Sequence, residues 1–291
     1  MSTSTLQGST GTLDERSLHL RRLVLRSLVS ADKGHVGSAL SMIEIFRVLY
    51  DDIARHDPKN PAWVDRDRVI LSKGHGCLAL FAILADKGYF PADLLETFCQ
   101  RHSPLGGHPE KNLAIGIEAS TGSLGHGLPI ATGIALAFRR RGSKARVFVV
   151  VGDGEINEGS NWESLMIAAK YQLTNLVVLL DNNGMQLHGP LEHVLPIEPL
   201  RDKLQSFGAI ATDVDGHDPK KLREALQKAC SREEPAPRVV ICHTIKGRGL
   251  PFAEQNPAWH YRRSFSRELV QQINEHLSGN DERRTAASKV S

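Results

Sequence analysis

The chain has 291 residues, of which 41% are hydrophobic, enough to bury a substantial core. Charged residues make up 24%, the formal net charge is only +3, and no sustained basic stripe appears, so nucleic-acid binding is not expected. No run of about 18 apolar residues exists to span a membrane as a helix, and the N-terminus lacks an apolar signal core.

Residues 1–12 are rich in Ser, Thr and Gly and read as a disordered N-terminus. From Leu13 onward, Leu18, Leu20, Leu23, Val24, Leu25 and Leu28 suit one helix that ends near Gly34. A second helix is expected over 42–53. Residues 68–72 form a short apolar run ending in Lys73-Gly74-His75-Gly76, a buried strand feeding a loop. Helices are expected over 78–87, 94–100, 130–140, 162–171 and 219–230. Between the later ones lie apolar runs at 147–151, 176–180 and 238–243, each closed by glycine and polar residues. Continuous runs of this kind suit parallel strands covered on both faces. Their alternation with helices gives an α/β fold, doubly wound, with a mostly parallel sheet and helices on both faces. One domain is expected over 13–270, followed by a C-terminal helix and tail over 271–291. Cys77, Cys99, Cys230 and Cys242 lie far apart without metal-binding spacing, and read as reduced thiols of a cytoplasmic protein.

The chemistry falls at the strand ends. In Gly152-Asp153-Gly154-Glu155 a glycine on each side of the aspartate lets backbone amides approach a bulky anion. Asp153 then serves as a hard oxygen ligand. Asn183, in Asp181-Asn182-Asn183, follows after about one strand–helix–strand length, so both residues emerge from strand ends of one sheet. A carboxylate, an amide oxygen and a backbone carbonyl near Met185 make half an octahedron. Two diphosphate oxygens and a water complete it, and such an oxygen-only shell suits Mg²⁺ or Ca²⁺. Glycine-flanked aspartate alone also occurs in ordinary turns; the pairing with Asn183 points to the metal.

Residues 152–159 together with 181–183 resemble the thiamine-diphosphate motif in its transketolase form, in which a glutamate follows the aspartate by five residues; here it is Glu158. Other segments match the family in order: Gly34-His35-Val36-Gly37, Ser72-Lys73-Gly74-His75, Gly107-His108-Pro109-Glu110, the glycine loop from Gly122 to Gly127, and Trp259-His260. The resemblance covers about 14–265. It implies a thiamine-diphosphate-binding fold in which Asp153, Asn183 and the Met185 carbonyl hold the metal. Gly152 and Gly154 lie against the diphosphate, with His75 and His260 near it, and Gly122 and Leu124 meet the aminopyrimidine. His35, His108 and His260 line the pocket for sugar hydroxyls and the reacting carbonyl. Imidazoles titrate near neutrality and suit proton movement there. Ser123 and His126 depart from the family pattern. Lys246 either approaches an anion or is a solvated loop lysine.

A full transketolase is more than twice this length. The resemblance therefore implies a separate C-terminal transketolase subunit carrying the pyrimidine-binding domain, in a heterotetramer, with Glu158 holding the partner's glutamate across the interface. The expected reaction transfers a two-carbon ketol unit from a ketose phosphate to an aldehyde. The alternatives are a 1-deoxyxylulose-phosphate-synthase-like or 2-oxoacid-dehydrogenase-like subunit, or a non-catalytic cofactor-binding subunit. The segments holding His108 and His260 favour transketolase.

Overall fold

Five parallel strands form one sheet in the order β1-β2-β3-β5-β4: β1 (Arg68–Leu71), β2 (Val147–Gly152), β3 (Leu176–Asn182), β4 (Ile210–Asp215) and β5 (Arg238–His243). The structure is a computed structural model that describes residues 8, 11–187, 189–231 and 234–278. Apart from Gly8, Gly11 and Thr12, the expected disordered N-terminus lies outside the described residues, as does 279–291. Gly8 itself is buried.

The helices are α1 (Glu15–Ala31), α2 (Gly37–Ser41), α3 (Ile43–Val48), α4 (Cys77–Asp86), α5 (Gly127–Arg140), α6 (Gly159–Lys170), α7 (Leu191–Val194), α8 (Leu200–Ser206), α9 (Pro219–Ala229) and α10 (Arg267–Leu277). Side chains alternate across the sheet, so each apolar run feeds two cores. Val69, Phe148, Val150, Val177, Leu179 and Val240 enter the core shared with α1, α3, α4, α9 and α10. Ile70, Val147, Val149, Val178, Leu180 and Ile241 enter the other, covered by α5, α6 and α8. Burial on both faces is why these strands read as unbroken apolar runs rather than alternating ones.

Several elements differ from the expectation, and α2, α7 and α8 fall where no helix is expected. β4 was not expected: it is an edge strand, its sequence is interrupted by Thr212 and Asp213, and it is buried on neither face throughout. The helix expected over 42–53 is α3 followed by a π-helical turn over Leu49–Ile53, and 94–100 holds only a 3₁₀ stretch over Ala92–Thr97. The boundary placed at 270 falls inside α10, whose Ile273 and Leu277 are buried in the first core.

The strand tips gather the loops that matter, because in such sheets the space beyond the carboxyl ends is the ligand side. His75 follows β1, Asp153 follows β2, Asn183 follows β3 and Lys246 follows β5. The glycine loop is pressed against the β1 tip. A Cβ added to Gly127 would stand 2.5 Å from Ser72 Cα, which is backbone and cannot yield. Gly127→Ala is expected to destabilise the protein by ~1–3 kcal/mol through overpacking, read as a lower midpoint in chemical denaturation; an unchanged midpoint would refute this packing.

Candidate active site

The sheet register sets Gly152 opposite Asp181, so the residues that follow each strand meet. The Asp153 carboxylate accepts from Gly154 N–H at 2.8 Å and from Gly184 N–H at 2.6 Å, one residue past Asn183. Asn183 Oδ1 accepts from Met185 N–H at 3.1 Å. Asp153, Asn183 and Met185 are all buried. Asp153 after β2 thus meets the turn that holds Asn183 and Met185 after β3.

Burial pushes the Asp153 carboxyl up to about 6; the neighbouring Asp181 adds to this and Lys73 opposes it. Among the described residues no cation forms an ion pair with Asp153. A buried carboxylate held only by backbone N–H groups calls for a positive charge. Among the described residues no cluster of three His, Cys, Asp or Glu side chains suits a metal. The donor set here is instead one carboxylate, one amide oxygen and one carbonyl, which fits a hard cation carrying further oxygen ligands. Neighbouring side chains pack closely over both flanking glycines: a Cβ on Gly152 would lie 2.9 Å from Lys73 Cδ, and one on Gly154 2.9 Å from Gln186 Cγ. A cleft of about 700 Å³ borders this turn, lined by Asn183, Gly184, Leu191, Ile197, Thr244 and Gln255 among others.

Two buried carboxylates brace the corner, and the sequence reading missed both. Asp181 accepts from Ser41 Oγ at 2.7 Å and Asn183 Nδ2 at 3.2 Å, and also from Lys73 Nζ and Thr244 Oγ1. Burial would raise its pKa, but the Lys73 charge and these hydrogen bonds prevail and hold it below the usual carboxylate range. Glu155 accepts from Ser72 Oγ at 2.5 Å, Gly125 N–H at 3.0 Å and Gly152 N–H at 3.1 Å. It therefore ties the β1 tip, the glycine loop and the β2 tip to one side chain. Burial raises its pKa. Only its place directly after Gly154 hinted at this role. Lys246 proves to be buried, not solvated: Nζ donates to Gln186 O at 3.2 Å and Met185 O at 3.5 Å. Burial, with Lys73 nearby, draws its pKa down to about 8.

The histidines come together beside this corner. The His35 ring lies 5.4 Å from His75, 6.1 Å from His108 and 5.2 Å from His260, and His75 lies 5.4 Å from His260. The pairing is built by an antiparallel bridge in which Gly34 and Arg262 exchange two backbone hydrogen bonds of 3.0 Å. The bridge also brings in Tyr261, whose ring meets His35 edge-on at 4.8 Å, a residue with no signal in the motif. His75 stands in the 3₁₀ turn Gly74–Gly76, and His260 follows the turn Pro257–Trp259, capped by Asn256. Gly122 abuts the His108 ring, and the Leu124 carbonyl lies 3.1 Å from His126 Nδ1. Glu158 does not join the cluster: it is exposed at the start of α6, beside Gly125.

Burial, reinforced by His108 and Lys246, lowers the His35 pKa to about 4. Burial and Lys73 likewise lower that of His75. Both rings are neutral at pH 7. In the unfolded chain His35 titrates near 6.5, so unfolding takes up a proton below that value. Its contribution to stability is full above pH 6.5 and is lost as pH falls toward about 4. His35→Gln is expected to shrink the fall in thermal midpoint between pH 7 and pH 4; an identical profile in wild type and variant would refute the assignment.

Residues 14–284 match the family model described as transketolase, thiamine diphosphate binding domain. The chain is 40% identical over 242 residues to an apulose-4-phosphate transketolase subunit of Actinobacillus succinogenes, covering 83% of this chain and 87% of that protein. It is 39% identical over 241 residues to the 6-deoxy-6-sulfo-D-fructose transketolase subunit SqwG of a Clostridium species, again covering 83% and 87%. The transketolase 2 of Escherichia coli is 34% identical, but this chain spans only 36% of it. The crystal structure of Campylobacter jejuni transketolase superposes with a TM-score of 0.80 at 27% identity, over 91% of this chain and 42% of that one. With the parallel sheet, the glycine-flanked aspartate and the ordered histidine motifs in agreement, the chain belongs to the transketolase family, as its thiamine-diphosphate-binding domain.

Proposed function

We propose that the chain is the N-terminal subunit of a two-component transketolase, moving a two-carbon ketol unit from a ketose phosphate to an aldehyde. The observation that carries this reading is the adjacency of a corner of oxygen donors and a four-histidine cluster beyond the carboxyl ends of the strands. Asp153, Asn183 Oδ1 and the Met185 carbonyl would hold Mg²⁺ or Ca²⁺ and, through it, the diphosphate. Gly152 and Gly154 offer backbone against that group, and Gly122 and Leu124 offer backbone to the aminopyrimidine. Bound thiamine diphosphate supplies the electron sink for breaking the carbon–carbon bond. His35, His108 and His260 accept and return protons at the sugar hydroxyls, and His35, kept neutral by burial, can accept one at pH 7. His75 orients the site near the diphosphate.

The relatives named as subunits support a partner polypeptide, here one carrying the pyrimidine-binding domain in a heterotetramer. The surface is compatible with it: the neighbouring helices α5 and α6 leave Ile130, Met166 and Ile167 exposed. Exposed Glu158 lies at the head of α6, placed to meet that partner. The relatives' names point to sugars bearing a phosphate or sulfo group. Buried thiols at Cys77 and Cys242 fit a cytoplasmic enzyme, and among the described residues no helix is long and apolar enough to cross a membrane. The test is an assay of the chain with its co-purifying partner, using ketose-phosphate donors and an aldehyde panel. Transfer without CO₂ release is expected; decarboxylation of a 2-oxoacid would overturn the reading.

A further inference from the structure

We propose that Asp181 is a positioning residue for the metal: it fixes the Asn183 side-chain amide so that Oδ1, not Nδ2, faces the cation. The proposal rests on the metal-site reading above and deepens it.

Asp181 is fully buried near the end of β3, between Gly152 of β2 and Cys242 of β5. Its donors come from four separate segments: Ser41 at the end of α2, Lys73 after β1, Asn183 after β3 and Thr244 after β5. A carboxylate paired with an ammonium has only acceptor sites. The end of the Asn183 amide that faces it must therefore be the NH₂ group, here 3.2 Å from Oδ2. The opposite end receives the Met185 N–H and must be the oxygen. Rotating the amide by half a turn would set oxygen against carboxylate and NH₂ against N–H, replacing two attractions with two repulsions. It would also turn a donor group toward the cation and remove a ligand. A neutral amide or hydroxyl at 181 would not enforce the choice, because either can pair with both ends of Asn183. Outer partners of this kind orient metal ligands and tune affinity.

Lys73 has a separable part. It supplies the counter-charge, and its stem fills the space over Gly152. Charge compensation and amide orientation can therefore be tested apart.

The experiment titrates Mn²⁺ into the full chain with its partner and thiamine diphosphate, with bound Mn²⁺ read by electron paramagnetic resonance and stability by thermal unfolding. Asp181→Asn is expected to weaken Mn²⁺ binding by ~10–100-fold. It also leaves Lys73 buried without its partner, which lowers stability. The double variant Lys73→Met with Asp181→Asn removes both charges and is expected to recover the thermal midpoint but not the Mn²⁺ affinity. Affinity that returns with stability, or an Asp181→Asn protein that binds like wild type, overturns the proposal. Thr244→Val keeps both charges and removes one anchor of the carboxylate; it is expected to weaken Mn²⁺ several-fold, and an unchanged value likewise counts against the proposal. Asp153→Asn serves as the control. If it binds Mn²⁺ normally, the metal-site reading itself falls; if it fails while Asp181→Asn does not, only the role of Asp181 falls.

Discussion

Asp153→Ala is expected to abolish metal-dependent binding of thiamine diphosphate, with the apparent affinity falling by more than ~100-fold, the top of the range for lost outer-sphere partners and a lower bound for a lost ligand. Asp153 is the only charged group among the three donors, since Asn183 and the Met185 carbonyl are neutral. A dication and a diphosphate meeting at this corner depend on that charge, because burial strips away the water that would otherwise screen it. The side chain also organises the turn, by accepting from Gly154 and Gly184. Asp153→Asn separates the two effects: it retains a carbonyl oxygen for one of these hydrogen bonds while removing the charge. Calorimetry should show both variants folded, and cofactor affinity in both indifferent to added Mg²⁺. Cofactor binding by Asp153→Asn that still responds to Mg²⁺ as the wild type does would remove the metal assignment.

The second large effect concerns the proposed companion polypeptide. The purified chain alone should turn over a ketose-phosphate donor at least ~10³-fold more slowly than the reconstituted pair, a loss typical of a missing general acid. The reason lies in the carboxyls available near the glycine loop. Glu155 is a buried acid bonded to that loop, and its two oxygens are engaged by Ser72, Gly125 and Gly152. Its hydrogen bonds hold the loops together. Glu158 is exposed at the head of α6 and faces outward. On the two-component reading proposed above, the group that activates the aminopyrimidine comes from the companion polypeptide. Stopped-assay rates of each component and of the mixture decide the matter, and full turnover by this chain alone would overturn the two-component reading.

The sequence made the sheet legible where strands are covered on both sides. β2 and β3 are unbroken apolar stretches, because each of their faces packs into a core. β4 escaped because an edge strand is under weaker demand and tolerates Thr212 and Asp213. In the site, the legible residues are those set in short local motifs: Asp153 between glycines, Asn183 in its polar triplet, and the glycine-flanked His35, His75 and His108. Asp181 and Glu155 were not legible, since their meaning comes from partners distant along the chain. Ser41 and Asp181 are 140 residues apart, and Ser72 and Glu155 are 83 apart. Tyr261 and Lys246 likewise gain significance only through folding, one by the bridge at Gly34 and the other by burial.

The Glu155 clamp also bears on how such an enzyme changes its preferences. Three loops that would otherwise drift independently are strung on one side chain, so their positions are correlated. Adjusting the seat of the coenzyme by editing one of them shifts the other two. Preferences that depend on the seat of the coenzyme are therefore expected to change by concerted substitutions in all three loops rather than by one.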